Sequence, residues 1–218
     1  MRTPRQPPGR GATLGELVRY FFTKPSPLAI GAVFASAVVA RLRIGRPNRW
    51  DIGIPAMVVV LEPFTEWLVH TRLLHWKPTK VGPLTIDPVT ARKHREHHAN
   101  PRDLSVVMVP FQALFPAAPL LIALAVRRLR PPQAAAAIGS GFGMLLYYEW
   151  IHYLIHSPYR PSSEWFRRLS RNHRLHHFKN EHQWFGVTTN MGDRLLGTNP
   201  DESDVPTSDT ARTLGVVS

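Results

Sequence analysis

The sequence predicts an all-α integral membrane protein with about four transmembrane helices arranged in two hairpins. Two observations support this prediction: the 218 residues contain four long apolar runs, and the connectors within each pair, residues 41–51 and 127–133, are short enough to be turns. Two hairpins place the N-terminus, residues 70–103 and residues 152–218 on the same side of the membrane. A soluble helical core is the alternative, but the remaining sequence provides too little apolar surface to cover these runs.

The chain begins with a basic segment that is followed by an amphipathic helix. Residues 1–12 are mainly Pro, Gly and Arg, and we expect a disordered basic arm there. Thr13 and Glu16 have the spacing of a capping box, which opens a helix. The apolar residues of this helix recur at helical spacing: Leu14, Leu17, Val18, Phe21 and Phe22. The helix suits either the membrane interface or packing against the protein's own cytoplasmic cap.

The four apolar runs differ in length and in the way they end. Residues 28–40 are uncharged but short for a span unless the arginines that follow extend to the interface. Residues 52–61 and residues 134–148 both continue as helices into acidic residues and histidines, so they start in lipid and end in a polar site. Residues 104–126 contain no charge in 23 positions, and at about 1.5 Å per residue they can cross a ~30 Å hydrocarbon core.

The distribution of charge predicts the orientation in the membrane. The chain has 27 Lys+Arg, 15 Asp+Glu and a net charge of +12, and 20 of the basic residues lie on the side shared by the termini and residues 70–103. The positive-inside rule places that side in the cytoplasm, although both turns are also rich in Arg. A basic surface on a membrane protein suits an anionic leaflet, so we expect no nucleic-acid partner.

Histidine is concentrated on this cytoplasmic side. All eleven histidines lie there, and ten form four clusters with the strings HTRLLH, HREHH, HYLIH and HRLHH. In the two HxxHH clusters, residues i, i+3 and i+4 share one side of a helix, so each cluster can direct three imidazoles to a common point. The first pair is five residues apart, and we expect its helix to end, bend or loosen between them. The clustered residues are His70, His75, His94, His97, His98, His152, His156, His173, His176 and His177.

These clusters predict metal binding by imidazole. Cysteine is absent, which excludes thiolate ligands, disulfides and a catalytic thiol. Ten imidazoles exceed the ligand number of a single zinc or a facial-triad iron, so two metal ions fit the count better. Imidazole alone does not choose among zinc, iron, copper and nickel.

Three other functional classes need features that this sequence lacks. A bis-histidine haem carrier needs paired histidines near mid-bilayer, whereas these lie at the ends of the spans. A metal transporter needs ionisable residues inside the spans, and the longest run has none. A zinc hydrolase typically shows HExxH, and HREHH does not have that arrangement.

The four clusters, and in particular the stretch RLSRNHRLHHFKNEHQWFGVTTNMGDRLLGT, resemble the fatty acid hydroxylase and sterol desaturase superfamily of integral-membrane di-metal oxygenases. HYLIH followed by HRLHH and FGVTT, together with HREHHANPRDLSVVMVP, is most similar to the fatty acid 2-hydroxylase branch. The resemblance covers roughly residues 50–198. It implies a membrane-integral hydroxylase domain, which we place at residues 13–198, with a cytoplasmic helical cap that holds the di-metal site. It also implies that all ten clustered histidines are metal ligands.

The resemblance further implies an activity in lipid metabolism. The expected reaction is hydroxylation of a lipid acyl chain at C2 of a fatty acid, with two metal ions as cofactor and O2 as co-substrate. Iron is expected for catalysis, although purified relatives can carry zinc. Sterol or carotenoid hydroxylation, desaturation, and non-catalytic metal binding or transport remain alternatives. Many relatives carry a fused cytochrome b5 domain; we expect none here, and therefore a separate electron donor of the ferredoxin, rubredoxin or cytochrome b5 type.

Six further residues are candidates for supporting the ligand histidines: Glu62, Glu66, Glu149, His182, Asn190 and Asp193. The glutamates lie on the helices that carry the clusters and are candidate partners for imidazole N–H groups, with salt bridges to arginine as the alternative. Asn190 and Asp193 can tie the last cluster to the cap or simply cap a helix. His182 matches no ligand position and is either a proton-handling group or a surface histidine. Residues 199–218 resemble nothing functional, and we expect a disordered tail.

Overall fold

The computed structural model describes residues 7–216, and the first six residues of the predicted basic arm lie outside this range. Helices dominate the described part. They are α1 (Leu14–Phe21), α2 (Pro25–Arg43), α3 (Trp50–Val69), α4 (Val89–Ala99), α5 (Phe111–Arg128), α6 (Pro131–His156), α7 (Glu164–Phe178) and α8 (Met191–Leu196). A π-helical turn, His70–Leu74, extends α3, and a short 3-10 helix, Glu202–Asp204, follows α8.

Helix α1 begins at the predicted capping box. The Thr13 hydroxyl accepts a hydrogen bond from the Glu16 amide at 3.3 Å, and the Glu16 carboxylate accepts one from the Thr13 amide at 2.8 Å. One side of α1 packs on the end of α6, where the Phe21 ring lies 5.1 Å from that of Trp150. The other side exposes three apolar residues: Leu14, Val18 and Phe22. One face of α1 therefore packs against the protein, as one of the two alternatives predicts, and the other face is exposed.

Helix α6 is the centre of the bundle, since α2, α3 and α5 all pack against it. Small residues allow the closest approach: a Cβ added at Gly143 of α6 would lie 2.9 Å from the ring of Phe34 on α2. An apolar cluster joins α2, α5 and α6 around Ile30, Leu114 and Phe142. The helical pairs α2–α3 and α5–α6 are each joined by a short turn, as the sequence predicts.

Three helical segments in the described part of the chain are long and apolar enough to cross a membrane: Pro25–Arg43, Trp50–Leu74 and Phe111–Arg128. The sequence predicts about four spans, and α6, the expected fourth, is the longest helix but is not among these three. Most of the buried residues of α6 lie in its last two turns, where it enters the cap formed by α4, α7 and α8. The structure thus supports three candidate spans and a fourth helix packed between them.

The third span begins later than predicted. The apolar run at residues 104–126 is helical only from Phe111, and residues 101–110 form turns with buried Leu104 and Val107. Pro110 has extended backbone at the N-cap position of α5, and it has no amide hydrogen with which to continue a helical hydrogen-bond pattern from the preceding residues. The apolar residues 104–110 therefore do not extend the span. They pack instead against the last turns of α6.

A small antiparallel hairpin connects α3 to the cap. Strands β1 (Thr79–Val81) and β2 (Leu84–Ile86) pair with Thr79 opposite Ile86, and all six residues are exposed. Gly82 in the turn has a φ of 59°, which glycine adopts without strain. The hairpin returns the chain to α4, so that the HREHH cluster faces the end of α3.

The predicted disordered tail is wrong for the residues that the structure describes. Val205, Ala211 and Leu214 are buried, and the Ser208 amide donates to the Lys179 carbonyl at 2.7 Å. The guanidinium of Arg212 donates to the backbone carbonyls of His98, at 2.6 Å, and Ala99. Three apolar residues at irregular spacing give no periodic signal, and the segment is fixed largely by hydrogen bonds to cap backbone, which composition does not reveal.

Replacing Leu214 by Asp should destabilise the protein, because Leu214 is buried and a carboxylate there would have no partner. An uncompensated buried charge costs about 3 kcal/mol or more, which corresponds to a fall in melting temperature of roughly 6–12 °C for a chain of this size. Thermal unfolding of the solubilised protein measures this. Thr213→Asp is the matched control, because Thr213 is exposed. Equal melting temperatures for the two variants would contradict the packed position of the tail.

Candidate metal centre

The ten clustered histidines converge into two groups of five, and in each group the ligand nitrogens lie within 4.8 Å of one another. Site A comprises His70, His75, His94, His98 and His176, and site B comprises His97, His152, His156, His173 and His177. Eight of these residues are buried, and His75 and His156 are partly buried. The sites adjoin, since the ring centroids of His98 and His177 are 4.2 Å apart.

The spacing of each HxxHH cluster suggests that its three histidines serve one site, but the structure divides each cluster between the two sites. Helix α4 sends His94 and His98 to site A and His97 to site B. Helix α7 does the reverse, with His173 and His177 in site B and His176 in site A. Residues i and i+4 stay together, because they lie almost directly above one another on a helix, and the third histidine points to the neighbouring site.

The π-helical turn brings the first pair to one site. His70 and His75 are five residues apart, and the His75 amide donates to the His70 carbonyl at 3.1 Å, which is the i→i+5 bond of a π-turn. Their ring centroids are 5.0 Å apart. The predicted loosening of the helix between these residues is confirmed.

In site B, three imidazole nitrogens surround a fourth. The Nε2 atom of His173 lies 3.2 Å from that of His152, 2.9 Å from that of His156 and 3.0 Å from that of His177. A neutral imidazole nitrogen carries either one proton or one lone pair, so it can satisfy only one of these contacts by a hydrogen bond. A cation shared by the lone pairs would satisfy them together. The donor set therefore fits a metal ion.

In site A, backbone carbonyls fix the orientation of the imidazoles. The Nδ1 atoms of His70, His98 and His176 lie 2.7, 2.8 and 2.8 Å from the carbonyl oxygens of Phe185, Ala211 and Gln183. A carbonyl oxygen only accepts, so each Nδ1 carries the proton and each Nε2 presents a lone pair. The Nε2 atoms of His98 and His176 are buried and have no hydrogen-bond partner among the described residues. Unpartnered lone pairs that face one another fit a metal ion.

In site B, backbone groups of Val107 and Pro101 lie beside the rings of His152 and His156. Both residues belong to the irregular segment between α4 and α5. Residues 104–110 of this segment are those that the sequence places in the third span.

Burial keeps the cap histidines neutral, as metal ligation requires. Removal from water lowers the pKa of His98 to about 3 and holds the pKa of His94 and His97 well below the ordinary value. The same cause lowers the pKa of His173 and His177, and neighbouring imidazoles act in the same direction. All these groups are free bases at neutral pH.

The glutamates do not bond to the imidazoles. Both Glu62 and Glu66 accept hydrogen bonds from the Thr188 hydroxyl, at 2.8 and 2.5 Å, and Glu66 also accepts from the amides of Val187 and Thr188. Glu149 accepts from the Val109 amide at 2.8 Å. Among the described hydrogen bonds and ion pairs, none of the three reaches a histidine or an arginine. The predicted contact with imidazole is therefore wrong, and these carboxylates hold backbone segments instead.

Asp193 acts on the segment that orients site A. Its carboxylate accepts from the amides of Phe185 and Gly186 at 3.0 and 2.7 Å and from the Thr198 hydroxyl at 2.6 Å. A Cβ at Gly186 would lie 2.1 Å from the Thr189 carbonyl oxygen, so only glycine fits there. Asp193 therefore acts on His70 indirectly. It holds the backbone of Phe185, whose carbonyl oxygen bonds the His70 ring.

The two remaining candidates lie outside both sites. His182 is exposed over 67% of its side chain, and its Nε2 lies 3.4 Å from a carboxylate oxygen of Glu181. Asn190 is the N-cap residue of α8 without a side-chain capping bond. The carbonyls of residues 183, 185 and 211 are functional groups that the sequence did not reveal, because backbone oxygens have no residue-type signature. The FGVTT string was the available signal.

Comparison with known proteins places these features in a family. A family described as "Fatty acid hydroxylase" matches residues 55–198. The fatty acid 2-hydroxylase of Rattus norvegicus is 30% identical over 167 residues, which cover 72% of this chain and 42% of the relative. The dihydroceramide fatty acyl 2-hydroxylase FAH2 of Arabidopsis thaliana is 33% identical over 150 residues, which cover 67% and 60%. The aligned part thus spans less than two thirds of the length of these relatives.

A solved structure supports the fold. "Full length scs7p (only hydroxylase domain visible)" superposes with a TM-score of 0.68 at 23% sequence identity, and the match covers 84% of this chain and 68% of that one. The arrangement of the spans and the cap is therefore shared with a known hydroxylase domain.

Removing one candidate ligand from either site should show that the histidines of both sites bind metal. His97→Ala removes a site B nitrogen and His176→Ala removes a site A nitrogen, so metal content should fall from about two ions per chain to one or fewer. Elemental analysis of protein purified from membranes measures this. His182→Ala is the control and should retain both ions. Two ions in all three variants would contradict the ligand assignment.

Stability without metal should depend on pH through the cap histidines. The folded-state pKa of His98 is about 3 and the ordinary value is 6.5, so the unfolded chain binds more protons between these values. The contribution of neutral His98 to the free energy of unfolding is fully present above pH 6.5 and is lost as the pH falls towards 3. The melting temperature of the metal-free protein should fall over this window, as measured by tryptophan fluorescence, and less steeply for His98→Gln. Equal slopes for the two proteins would show that His98 is not buried as a free base.

Proposed function

Because the chain belongs to the fatty acid hydroxylase family, we propose that it is an O2-dependent membrane hydroxylase that acts on a lipid acyl chain at C2. The observation that carries this proposal is the pair of adjoining sites, each built from five largely buried imidazoles. The names of the curated relatives, which are fatty acid and dihydroceramide fatty acyl 2-hydroxylases, support the acyl chain as substrate and C2 as the position.

We propose that the ten histidines hold two metal ions, with iron for catalysis. When bound, iron supplies the oxygen chemistry that attack on an unactivated C–H bond requires and that side chains cannot provide. The residues of this chain hold neutral imidazoles in position through backbone carbonyls and exclude water from the site. No acidic or basic side chain other than histidine belongs to either group, so the protein's part is positioning.

Desaturation and the hydroxylation of sterols or carotenoids are alternatives within the same superfamily, and they use the same kind of site. Non-catalytic metal binding or transport is less well supported. Both sites are enclosed, and Phe111–Arg128 has no ionisable residue before its final two arginines, so that segment offers no polar path across a membrane.

We propose a multi-pass membrane protein in which α6 is the fourth span and the histidines face the cytoplasm. The apolar surfaces of α2, α3 and α5 against α6 support four spans. The excess of Lys and Arg on the side of the cap supports the orientation. At the other end, Arg41 and Asp51 form an ion pair that closes the α2–α3 turn.

We propose a separate acidic electron donor that binds the outer face of α7. Arg167, Arg168, Arg171 and Arg174 are exposed there, while the opposite face of the same helix carries the metal-site histidines. A donor on this face would be separated from site B by about one helix diameter, ~10 Å. Opposite charge would steer its approach.

Lipid mass spectrometry tests the proposed reaction. Cells that express the chain with a suitable reductase should contain acyl species one oxygen atom heavier, and fragmentation should place the hydroxyl at C2. His176→Ala should abolish this product and His182→Ala should retain it. A product two hydrogen atoms lighter would identify a desaturase. No altered lipid in the presence of the reductase would sink the oxygenase proposal.

A further inference from the structure

A cavity of about 450 Å³ lies between α5 and α6, outside both metal sites. Its walls include Ala117 and Leu121 from α5 and Gly141 and Leu145 from α6, and Thr90 and Val109 line it as well. No charged side chain contributes to the lining. The lining residues Ala117, Leu121 and Gly141 are exposed, so the cavity is a groove that opens to the surface between the two helices.

Two of the lining residues connect the cavity to the metal sites. Thr90 precedes His94 by four residues and His97 by seven on α4, so the three share one face of that helix. One of these histidines belongs to site A and the other to site B. The amide of Val109 donates to Glu149, which is three residues before His152 on α6. The lining is therefore connected to histidines of both sites, along α4 through Thr90 and along α6 through the contact of Val109 with Glu149.

The cavity runs along most of α5. Its lining extends from Ala113 to Ala125, about 18 Å at ~1.5 Å per residue, of the roughly 27 Å between Phe111 and Arg128. The lining alternates small residues with leucine and phenylalanine, and Thr90 supplies its one side-chain polar group. These dimensions and this chemistry suit a single extended hydrocarbon chain whose polar end reaches the cap.

We propose that this cavity, the groove between α5 and α6, binds the acyl chain of the substrate, with the carboxyl end of the chain near Thr90 and its methyl end towards Ala125. This inference rests on the proposed function and adds the place where the chain lies. Residues along the groove then measure chain length. A side chain at Gly141, midway along α6, blocks medium and long chains, and a larger residue at Ala125 blocks only the longest.

Gly141→Leu is the principal variant, because a Cβ at Gly141 meets no atom within 4 Å and the new side chain enters the groove without displacing backbone. Ala125→Leu is a second variant at the far end. Ala123→Leu is the matched control, since Ala123 is exposed, lies outside the lining and is on the opposite face of α5. Metal content of each variant, which should equal that of the wild type, checks folding.

The first readout is photocrosslinking with a long-chain fatty acid that carries a diazirine near its methyl end, followed by peptide mapping. Wild-type protein should be labelled at groove residues such as Leu114, which is buried, and Leu145. Labelling should fall by about tenfold in Gly141→Leu, the loss expected when about two methylene groups are no longer buried. Ala123→Leu should be labelled like the wild type. Equal labelling of the groove and of lipid-facing Leu120 and Leu124, unchanged in Gly141→Leu, would mean that only bulk bilayer lipid contacts the groove and would overturn the proposal.

The second readout is the chain length of the hydroxylated product. Gly141→Leu should shift the product to shorter chains, and Ala125→Leu should remove only the longest. Groove labelling without any hydroxylated lipid would leave the binding site in place and reject the reaction. Hydroxylated lipid with an unchanged chain-length distribution in both variants would support the reaction and reject the groove as the binding site. The two failures are therefore distinguishable.

Discussion

The structure depends on gathering ten imidazoles, eight of them buried, into two adjoining groups. Such an arrangement is unfavourable without a cation, because buried nitrogens lose their hydrogen bonds to water and the facing imidazoles cannot all donate protons to one another. Every element of the cap contributes to this constraint. Helices α4, α6 and α7 supply eight of the ten candidate ligands, the π-turn of α3 and the residue after it supply the other two, and irregular segments supply the carbonyls that orient the rings.

The orientation of the rings is fixed mainly by the backbone, and carboxylates fix that backbone. Glu66 and Asp193 bind the amides of residues 185–188, and the carbonyls of residues 183 and 185 bind His176 and His70. Between these two carbonyls, Trp184 has a φ of 56°, which residues other than glycine rarely adopt. Its buried indole, whose nitrogen donates to the Pro200 carbonyl at 3.1 Å, offsets that strain. The carboxylates thus position the histidines of site A indirectly, through the backbone of residues 183–188.

The sequence was informative where side-chain type or periodicity carries the signal. It predicted the apolar helices, the capping box of α1 and the loosened helix between His70 and His75, because each depends on local spacing. It could not predict that HxxHH divides its histidines between two sites, since that depends on the rotation of α4 and α7 in the folded protein. Nor could it predict the fold of residues 199–216, where hydrogen bonds such as that of His98 to the Ala211 carbonyl replace hydrophobic periodicity.

The division of histidines within α4 and α7 links the two sites mechanically. Each helix is a rigid body, and its rotation about its own axis sets the position of ligands in both sites at once. An ion bound in one site would select the rotation at which the other site is also assembled, which would couple the two binding equilibria reciprocally. The pair of sites should therefore fill as a unit, with the half-loaded protein sparsely populated at equilibrium.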